Sequence, residues 1–350
     1  MSVALAEALI HWHRRHGRHE LPWQVSRTPY RVWVSEIMLQ QTQVATVIGY
    51  YERFMQRFPT VNALAAAPLD EVLHLWSGLG YYSRARNLHR AAQILVAAHA
   101  AQLPEDPEAL ERLPGIGRST AAAIVALALD RRATILDGNV RRVLARYFGI
   151  EGAPGSAAVQ STLWQHAQAC TPEHEVAIYT QAIMDFGATL CTRRQPLCMH
   201  CPLRGQCVAF RSGRVEALPT PRRRPERPTR RIVMLLAVRE DGGVLLRRRP
   251  ARGVWAQLWT PPEFTDIEHA RAFCTPASCA SLQMLPLVRH AFTHFDLEIT
   301  PLRATWTEAD VGEPAVEGQA GFSLWYDVRQ PARVGIPAPI ATLLASLATN

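Results

Sequence analysis

The chain has 350 residues and no lysine; all 38 of its basic side chains are arginine. That absence excludes any reaction that runs through a lysine Schiff base. Long apolar runs are missing as well. The longest spans residues 121–129, well short of the roughly 20 needed to cross a bilayer. Residues 1–20 mix His and Arg with apolar positions and have no small-residue cleavage site, so no export signal is visible and a cytoplasmic location is expected. Without export, the seven cysteines are not expected to form disulfides. Alternating strand patterns are absent before residue 230, which excludes a β-rich first part.

What is present divides the chain. Residues 1–190 read as nearly continuous helix, with a stripe at Leu5, Leu9, Trp12 and His13, a break at Leu21-Pro22-Trp23, and one long apolar helix over 31–53. Residues 211–229 hold Pro219, Pro221, Pro225 and Pro228 among arginines and read as an extended, solvated linker that could also dock a partner. Beyond it, strands are expected over 232–238, 244–248, 287–292, 295–301 and 322–327, with a turn at Asp241-Gly242-Gly243 and a closing helix after Pro339. An all-α domain thus precedes a smaller α+β domain. Residues 230–350 carry 12 Arg against 12 acidic residues, so the whole excess of +8 lies in residues 1–229. A basic first part suits a polyanionic partner.

Two Gly-x-Gly turns echo each other in the basic part, Gly78-Leu79-Gly80 before Tyr81 and Gly115-Ile116-Gly117 before Arg118. Glycine permits positive φ and close approach, and a newly started helix offers free N–H groups to phosphate oxygens. Either turn could equally be a plain connector. Cys191, Cys198, Cys201 and Cys207 have the spacing C-x6-C-x2-C-x5-C, a metal-ligand pattern open to zinc or to a 4Fe–4S cluster. Cys170, Cys274 and Cys279 read as core residues.

Glu36 is the only formal charge between Val32 and Tyr51, in a run containing Trp33, Val34, Ile37, Met38 and Leu39. A carboxyl buried there would hold its proton near neutral pH and serve as a general acid. The alternative is an outward-facing Glu36 beside Gln40 and Gln43. Asp137, before Gly138-Asn139-Val140, is a good helix N-cap. Paired with Glu36 it would complete the two carboxylates that suit cleavage of a glycosidic bond.

Together these residues resemble the helix-hairpin-helix DNA glycosylases of the endonuclease III superfamily, and within it the MutY-type adenine DNA glycosylases. The resemblance runs nearly the full length, through LPWQVSRTPYRVWVSEIMLQQTQVATVI at 21–48, LHLWSGLGYYSRARNLH at 73–89, LPGIGRSTA at 113–121, ILDGNVRRVLAR at 135–146, the cysteine loop and the tail. It implies an all-α glycosylase domain over 1–210 with one 4Fe–4S cluster on the loop 191–207, the linker 211–229, and a Nudix-like lesion-recognition domain over 230–350. It implies a nucleoid-associated monomer acting on duplex DNA that carries adenine opposite 8-oxoguanine or guanine.

By the same resemblance Glu36 protonates the flipped adenine and Asp137 stabilises the sugar cation, while Asn139 and Ser119 line the pocket. Gln41 and Tyr81 enter the base stack. The two turns, through Gly78, Leu79, Gly80, Gly115, Ile116, Gly117 and Arg118, hold DNA, and Phe292, Thr293 and His294 read 8-oxoguanine. Superfamily members that also cut the backbone carry a lysine where this chain has Ser119, so base removal without strand cleavage is expected. The lesion loop often reads Phe-Ser-His, whereas here Thr293 keeps the hydroxyl and adds a methyl. An active Nudix hydrolase needs an acidic Arg-Glu-x-x-Glu-Glu helix, and the run TPPEFTDIEHARAF after Trp259 has none, so the tail is expected to recognise rather than hydrolyse. The alternative is an endonuclease III-like glycosylase and lyase acting on oxidised pyrimidines, which the missing lysine and the added tail oppose.

Overall fold

The structure is a computed structural model that describes residues 2–221, 226–274, 279–307 and 322–347. It divides into two compact units, Met1–Ala66 with Asn87–Arg224, and Ala67–Arg86 with Pro225–Asn350.

The described part of the first unit is helical. Helix Ser2–His16 buries the stripe expected of it, Leu5, Leu9, Trp12 and His13, and Trp12 meets Phe186 edge-on at 5.2 Å. Phe186 belongs to helix Val176–Thr189, which is apolar nearly all round and is accordingly buried on most faces. The short helix Pro22–Val25 follows the expected break.

The run 31–53 is not one helix. It forms Pro29–Leu39 and Val44–Arg57, separated by a loop in which Gln41 adopts a left-handed φ of 59°. No Gly or Pro marks this break in the sequence. The Gln40 side chain donates to Thr120 Oγ1 (3.3 Å), and Thr42 N–H closes a turn onto Leu39 O. A contact 80 residues away in sequence therefore holds the interruption, and local periodicity could not report it.

After the turn at Gly115-Ile116-Gly117, helix Arg118–Leu129 buries Ala121 through Leu127 and ends at Asp130 in the left-handed region. An extended stretch leads to Asp137, the N-cap of helix Gly138–Phe148, which stops at Gly149 with φ 69°. Helix Ala157–Cys170 is capped by Ser156, and Cys170 is buried as expected.

The linker reading needs correction over its first half. Residues 212–221 are docked on the first unit, with Leu218 only 2 % exposed. The buried Arg146 guanidinium donates through Nε to Val215 O (3.0 Å) and Leu218 O (2.8 Å). Burying one leucine contributes on the order of 1.5–3 kcal/mol, and an enclosed guanidinium needs its acceptors. Those two demands outweigh the solvation that the composition favoured. Arg222, Arg223, Arg224 and Pro225 lie outside the described residues.

The second unit is built on an eight-stranded sheet of β1 (Thr229–Arg239), β2 (Gly243–Arg248), β3 (Trp259–Thr260), β4 (Glu263–Phe264), β5 (Cys279–Met284), β6 (Val288–Ala291), β7 (Asp296–Trp306) and β8 (Ser323–Asp327). The order is β3-β2-β1-β7-β5; β4 pairs with β1, β6 with β7 and β8 with β2. β1 and β7 are parallel, with Ile232 opposite Ile299, and the other pairs are antiparallel. Val233, Leu235, Leu302 and Ala304 pack against Phe264 and Ala270, and Cys274 lies at the edge of this cluster. The Cys279 side chain lies outside the described residues.

The expected strands are present, and β7 runs on through Pro301 to Trp306. Pro301 has no N–H, but its carbonyl still accepts from Leu285 N at 2.9 Å. β3, β4, β5 and the helix Ile267–Phe273 were not legible, the first two because each is only two residues long.

Residues 67–86 belong to this unit through specific bonds. Trp259 Nε1 donates to Asp70 (3.1 Å), Tyr82 O–H to Ile336 O (3.2 Å), and Arg86 to Ala256 O (2.9 Å). Gly335 admits the close approach, since a Cβ there would lie 2.5 Å from Leu73 Cβ. Among the described residues no helix is long and apolar enough to cross a membrane.

Candidate active site

A cleft of about 630 Å³ opens in the first unit, and Glu36, Ser119, Asp137 and Asn139 all line it. Helix Pro29–Leu39 turns Trp33, Ile37 and Met38 into the core and leaves Glu36 partly open to the cleft, which excludes the outward-facing alternative. Burial, joined by the smaller effect of the nearby Asp137 carboxylate, pushes the Glu36 carboxyl up to about 8. The neutral acid is thus the stable form at neutral pH.

Asp137 is the helix N-cap and also lines the cleft with Glu36. As N-cap it accepts Val140 N–H at 2.7 Å, and its other oxygen faces Asn139 Nδ2 at 3.4 Å. Burial raises its carboxyl too, but these hydrogen bonds and the Arg142 guanidinium oppose the rise. The two carboxyls therefore differ in kind. Glu36 keeps only part of its solvation and has no hydrogen-bond donor among the described residues, whereas Asp137 has donors aimed at its charge.

Ser119 Oγ accepts Leu136 N–H at 3.0 Å and so pins the stretch that delivers Asp137. Arg142, which sequence reasoning missed, donates to Asn139 Oδ1 (2.7 Å), Gly187 O (2.6 Å) and Cys191 O (2.8 Å). Its only signal was its place one helical turn after Asn139. Gly187 has a steric task, because a Cβ there would approach Asn139 Cβ to 2.6 Å. At the rim Arg18 grips the fully buried Asp185 through its N–H (2.8 Å) and Nε (2.9 Å). Burial alone would raise the Asp185 carboxyl, but bonds from His13 and Arg18 hold it below its ordinary value.

Gln41 sits exposed in the loop beside this cleft. In the Gly115–Gly117 turn, Ile116 is buried as an anchor and Gly115 takes φ 82°. Gly117 precedes helix Arg118–Leu129 without any side-chain cap, so first-turn N–H groups remain for a ligand. Arg118 is exposed and stacks on Trp164 at 3.8 Å.

In the second unit Leu79 is buried, Gly78 and Gly80 have φ of 102° and 72°, and Tyr81 stands 47 % exposed. Phe292 packs against Trp255, His290 and Phe295 and thereby presents the exposed Thr293 and His294. Tyr81 O–H and Thr293 Oγ1 are 3.2 Å apart.

Cys191, Cys198, Cys201 and Cys207 all line one narrow cavity whose remaining walls include Tyr147, Phe186, Leu190 and Leu203. Burial and the neighbouring thiols push Cys201 up to about 12 and raise Cys198 and Cys207 as well. Arg146 donates to Cys191 Sγ at 3.4 Å. Among the described residues no three Cys, His, Asp or Glu side chains close on a point that would hold a single ion.

A family model described as HhH-GPD superfamily base excision DNA repair protein matches residues 34–169, and a NUDIX domain model matches 233–346. The chain is 34 % identical to the adenine DNA glycosylase of Buchnera aphidicola subsp. Acyrthosiphon pisum, covering 99 % of this chain and 98 % of that one. It is 36 % identical to the adenine DNA glycosylase of Mus musculus, covering 84 % and 69 %. Among solved structures it is similar to a thermostable thymine-DNA glycosylase (TM-score 0.55, 26 % identity, 60 % of this chain and 96 % of that one) and to endonuclease III in a non-covalent DNA complex (TM-score 0.52, 25 % identity, 60 % and 95 %). With a helical glycosylase unit, a Nudix-like second unit and relatives that match almost end to end, the chain belongs to the adenine DNA glycosylase family of DNA N-glycosylases.

Proposed function

We propose that this enzyme binds duplex DNA, extrudes adenine paired with 8-oxoguanine or guanine, and hydrolyses its N-glycosidic bond without cutting the backbone. The observation that carries this reading is the pair Glu36 and Asp137 in one cleft, the first stable with its proton and the second supplied with donors for its charge. Glu36 gives its proton to a ring nitrogen of adenine; the C1′–N9 bond breaks with its electrons leaving on the base; Asp137 stabilises the oxocarbenium-like sugar until water adds. Extrusion is required because a stacked base cannot reach the cleft floor. The uncapped helix after Gly117 suits a backbone phosphate, Gln41 and Tyr81 suit the vacated stack, and Thr293 and His294 suit the edge of 8-oxoguanine.

A base-release comparison of A·8-oxoguanine, A·G and thymine glycol duplexes tests the substrate. Release is expected from the first two, fastest from A·8-oxoguanine, and none from thymine glycol; the reverse order would favour an endonuclease III-like activity. Borohydride is expected to trap no enzyme–DNA adduct, since the chain has no lysine. A covalent complex in good yield would overturn the proposed monofunctional chemistry.

The four cysteines fit a 4Fe–4S cluster better than one zinc ion. They surround a shared cavity rather than one point, and thiolates that burial and mutual repulsion disfavour become favourable beside a polycationic iron core. Such a cluster would hold the loop 191–207, which Arg142 and Arg146 tie to the catalytic helix Gly138–Phe148. The purified protein is expected to be yellow-brown and to contain four iron atoms per chain if the cluster is of this type. A colourless protein with one zinc per chain would decide for the other metal.

A further inference from the structure

The turn that presents Tyr81 is an unusual piece of backbone. Gly78, Gly80 and Tyr81 all have positive φ, and Tyr81, at 47°, bears the cost of the left-handed region with a full side chain. Something must over-determine it. Arg84 lies beneath the turn and is 8 % exposed, an uncommon degree of burial for an arginine. Its NH2 donates to Gly80 O (3.2 Å) and faces Leu79 O at 3.4 Å. Its guanidinium lies over two rings, 5.4 Å from the centre of Trp76 and 5.6 Å from that of Tyr81. Trp76, wholly buried, sends its own Nε1–H to Gly80 O at 3.2 Å, and Tyr82 O–H receives Gly78 N–H at 3.3 Å.

Arg84 is also in an electrostatically poor place for a scaffold residue. It lies in the first turn of helix Ser83–Ala98, where the helix dipole disfavours a cation, and no acidic residue shares that turn. Its partners include the carbonyls of the turn before the helix and the rings of Trp76 and Tyr81.

We propose that Arg84 positions the Tyr81 wedge: its guanidinium clamps the carbonyl side of the turn and supports the Tyr81 ring, so the ring is aimed before DNA arrives. This rests on the reading of Tyr81 as a residue that enters the base stack. Lysine cannot substitute, because a compact ammonium has no planar face to lay over two rings while it donates to the turn.

The test uses the full chain and an A·8-oxoguanine duplex with 2-aminopurine beside the adenine, whose fluorescence rises on unstacking. In Arg84→Lys the extrusion signal and the single-turnover release rate are expected to fall together by about tenfold, the size of one lost charge-assisted contact, with the melting temperature within a few degrees of wild type. A Tyr81→Ala background distinguishes positioning from scaffolding. If Arg84 acts through Tyr81, adding Arg84→Lys there costs nothing further. Wild-type extrusion by Arg84→Lys, or a fully additive second loss in the double variant, overturns the proposal. Should Arg84→Lys fail to fold, Trp76→Phe deletes the indole N–H that shares Gly80 O with Arg84 and leaves a smaller aromatic ring; a reduced extrusion signal supports the clamp, and an unchanged one refutes it. Full extrusion by Tyr81→Ala alone would instead refute the wedge reading.

Discussion

Glu36→Gln is expected to hold a mispaired duplex about as tightly as wild type and to release adenine about 10²- to 10⁴-fold more slowly, the usual contribution of a positioned general acid. Glutamine keeps the shape and the hydrogen-bonding reach of the side chain but has no acidic proton to give. The pH dependence supplies a second signature. Release depends on protonated Glu36, so in wild type it should be flat near neutrality and fall as pH rises past about 8. The variant should lack that limb. Stability falls in the same direction but over a lower window. Between pH 4.5 and about 8 the folded protein keeps a proton that the unfolded chain sheds, so wild type loses stability as pH rises through that window. Glutamine has no such liability, and the melting temperature of the variant should gain on wild type across it. Normal turnover by Glu36→Gln would remove the acid assignment outright.

Asp137→Asn is expected to lose about 10²- to 10³-fold in release, as when one preorganised electrostatic partner of a transition state is removed. The choice of asparagine matters because Asp137 also caps helix Gly138–Phe148. Asparagine caps about as well as aspartate, whereas alanine would cost about 0.5–2 kcal/mol of stability and confuse the two roles. Asp137→Asn should therefore melt near wild type while failing to release adenine, and Asp137→Ala should fail to release adenine and also melt lower. An Asp137→Asn variant of full activity would leave Asp137 as a cap only. In wild type, protonating Asp137 removes the same stabilisation, so activity should also decline on the acid side, at a pH above that of an ordinary aspartate. The two limbs belong to the pair rather than to either residue alone.

Much of this site was legible because chemistry leaves marks in composition. Glu36 is the only charge in a twenty-residue apolar stretch, and the structure shows why it is tolerated there, half-open at the floor of a cleft. The four cysteines read as a metal-ligand set from their spacing, and they do line one cavity. The part that went unread is the part held by contacts distant in sequence. The interruption at Gln40–Gln43 depends on Thr120, and the docking of residues 212–221 depends on Arg146. Arg142 looked like one more basic residue on a helix, yet it joins Asn139, Gly187 and Cys191.

The sequence by itself determined the helical first part, the β-rich second part, the absence of lysine chemistry and the two candidate carboxylates. Those follow from periodicity, from a missing functional group and from a lone charge in apolar surroundings, all of which are local or compositional. Only the tertiary structure decided how the carboxylates differ. Their protonation states depend on which N–H groups and guanidinium reach each oxygen and on how much water remains, and those are set by helices that meet from a hundred residues apart. It also brought a buried arginine beneath the turn that carries Tyr81, because the contacts among Trp76, Gly80, Tyr81 and Arg84 are relations in space that no pattern along the chain displays.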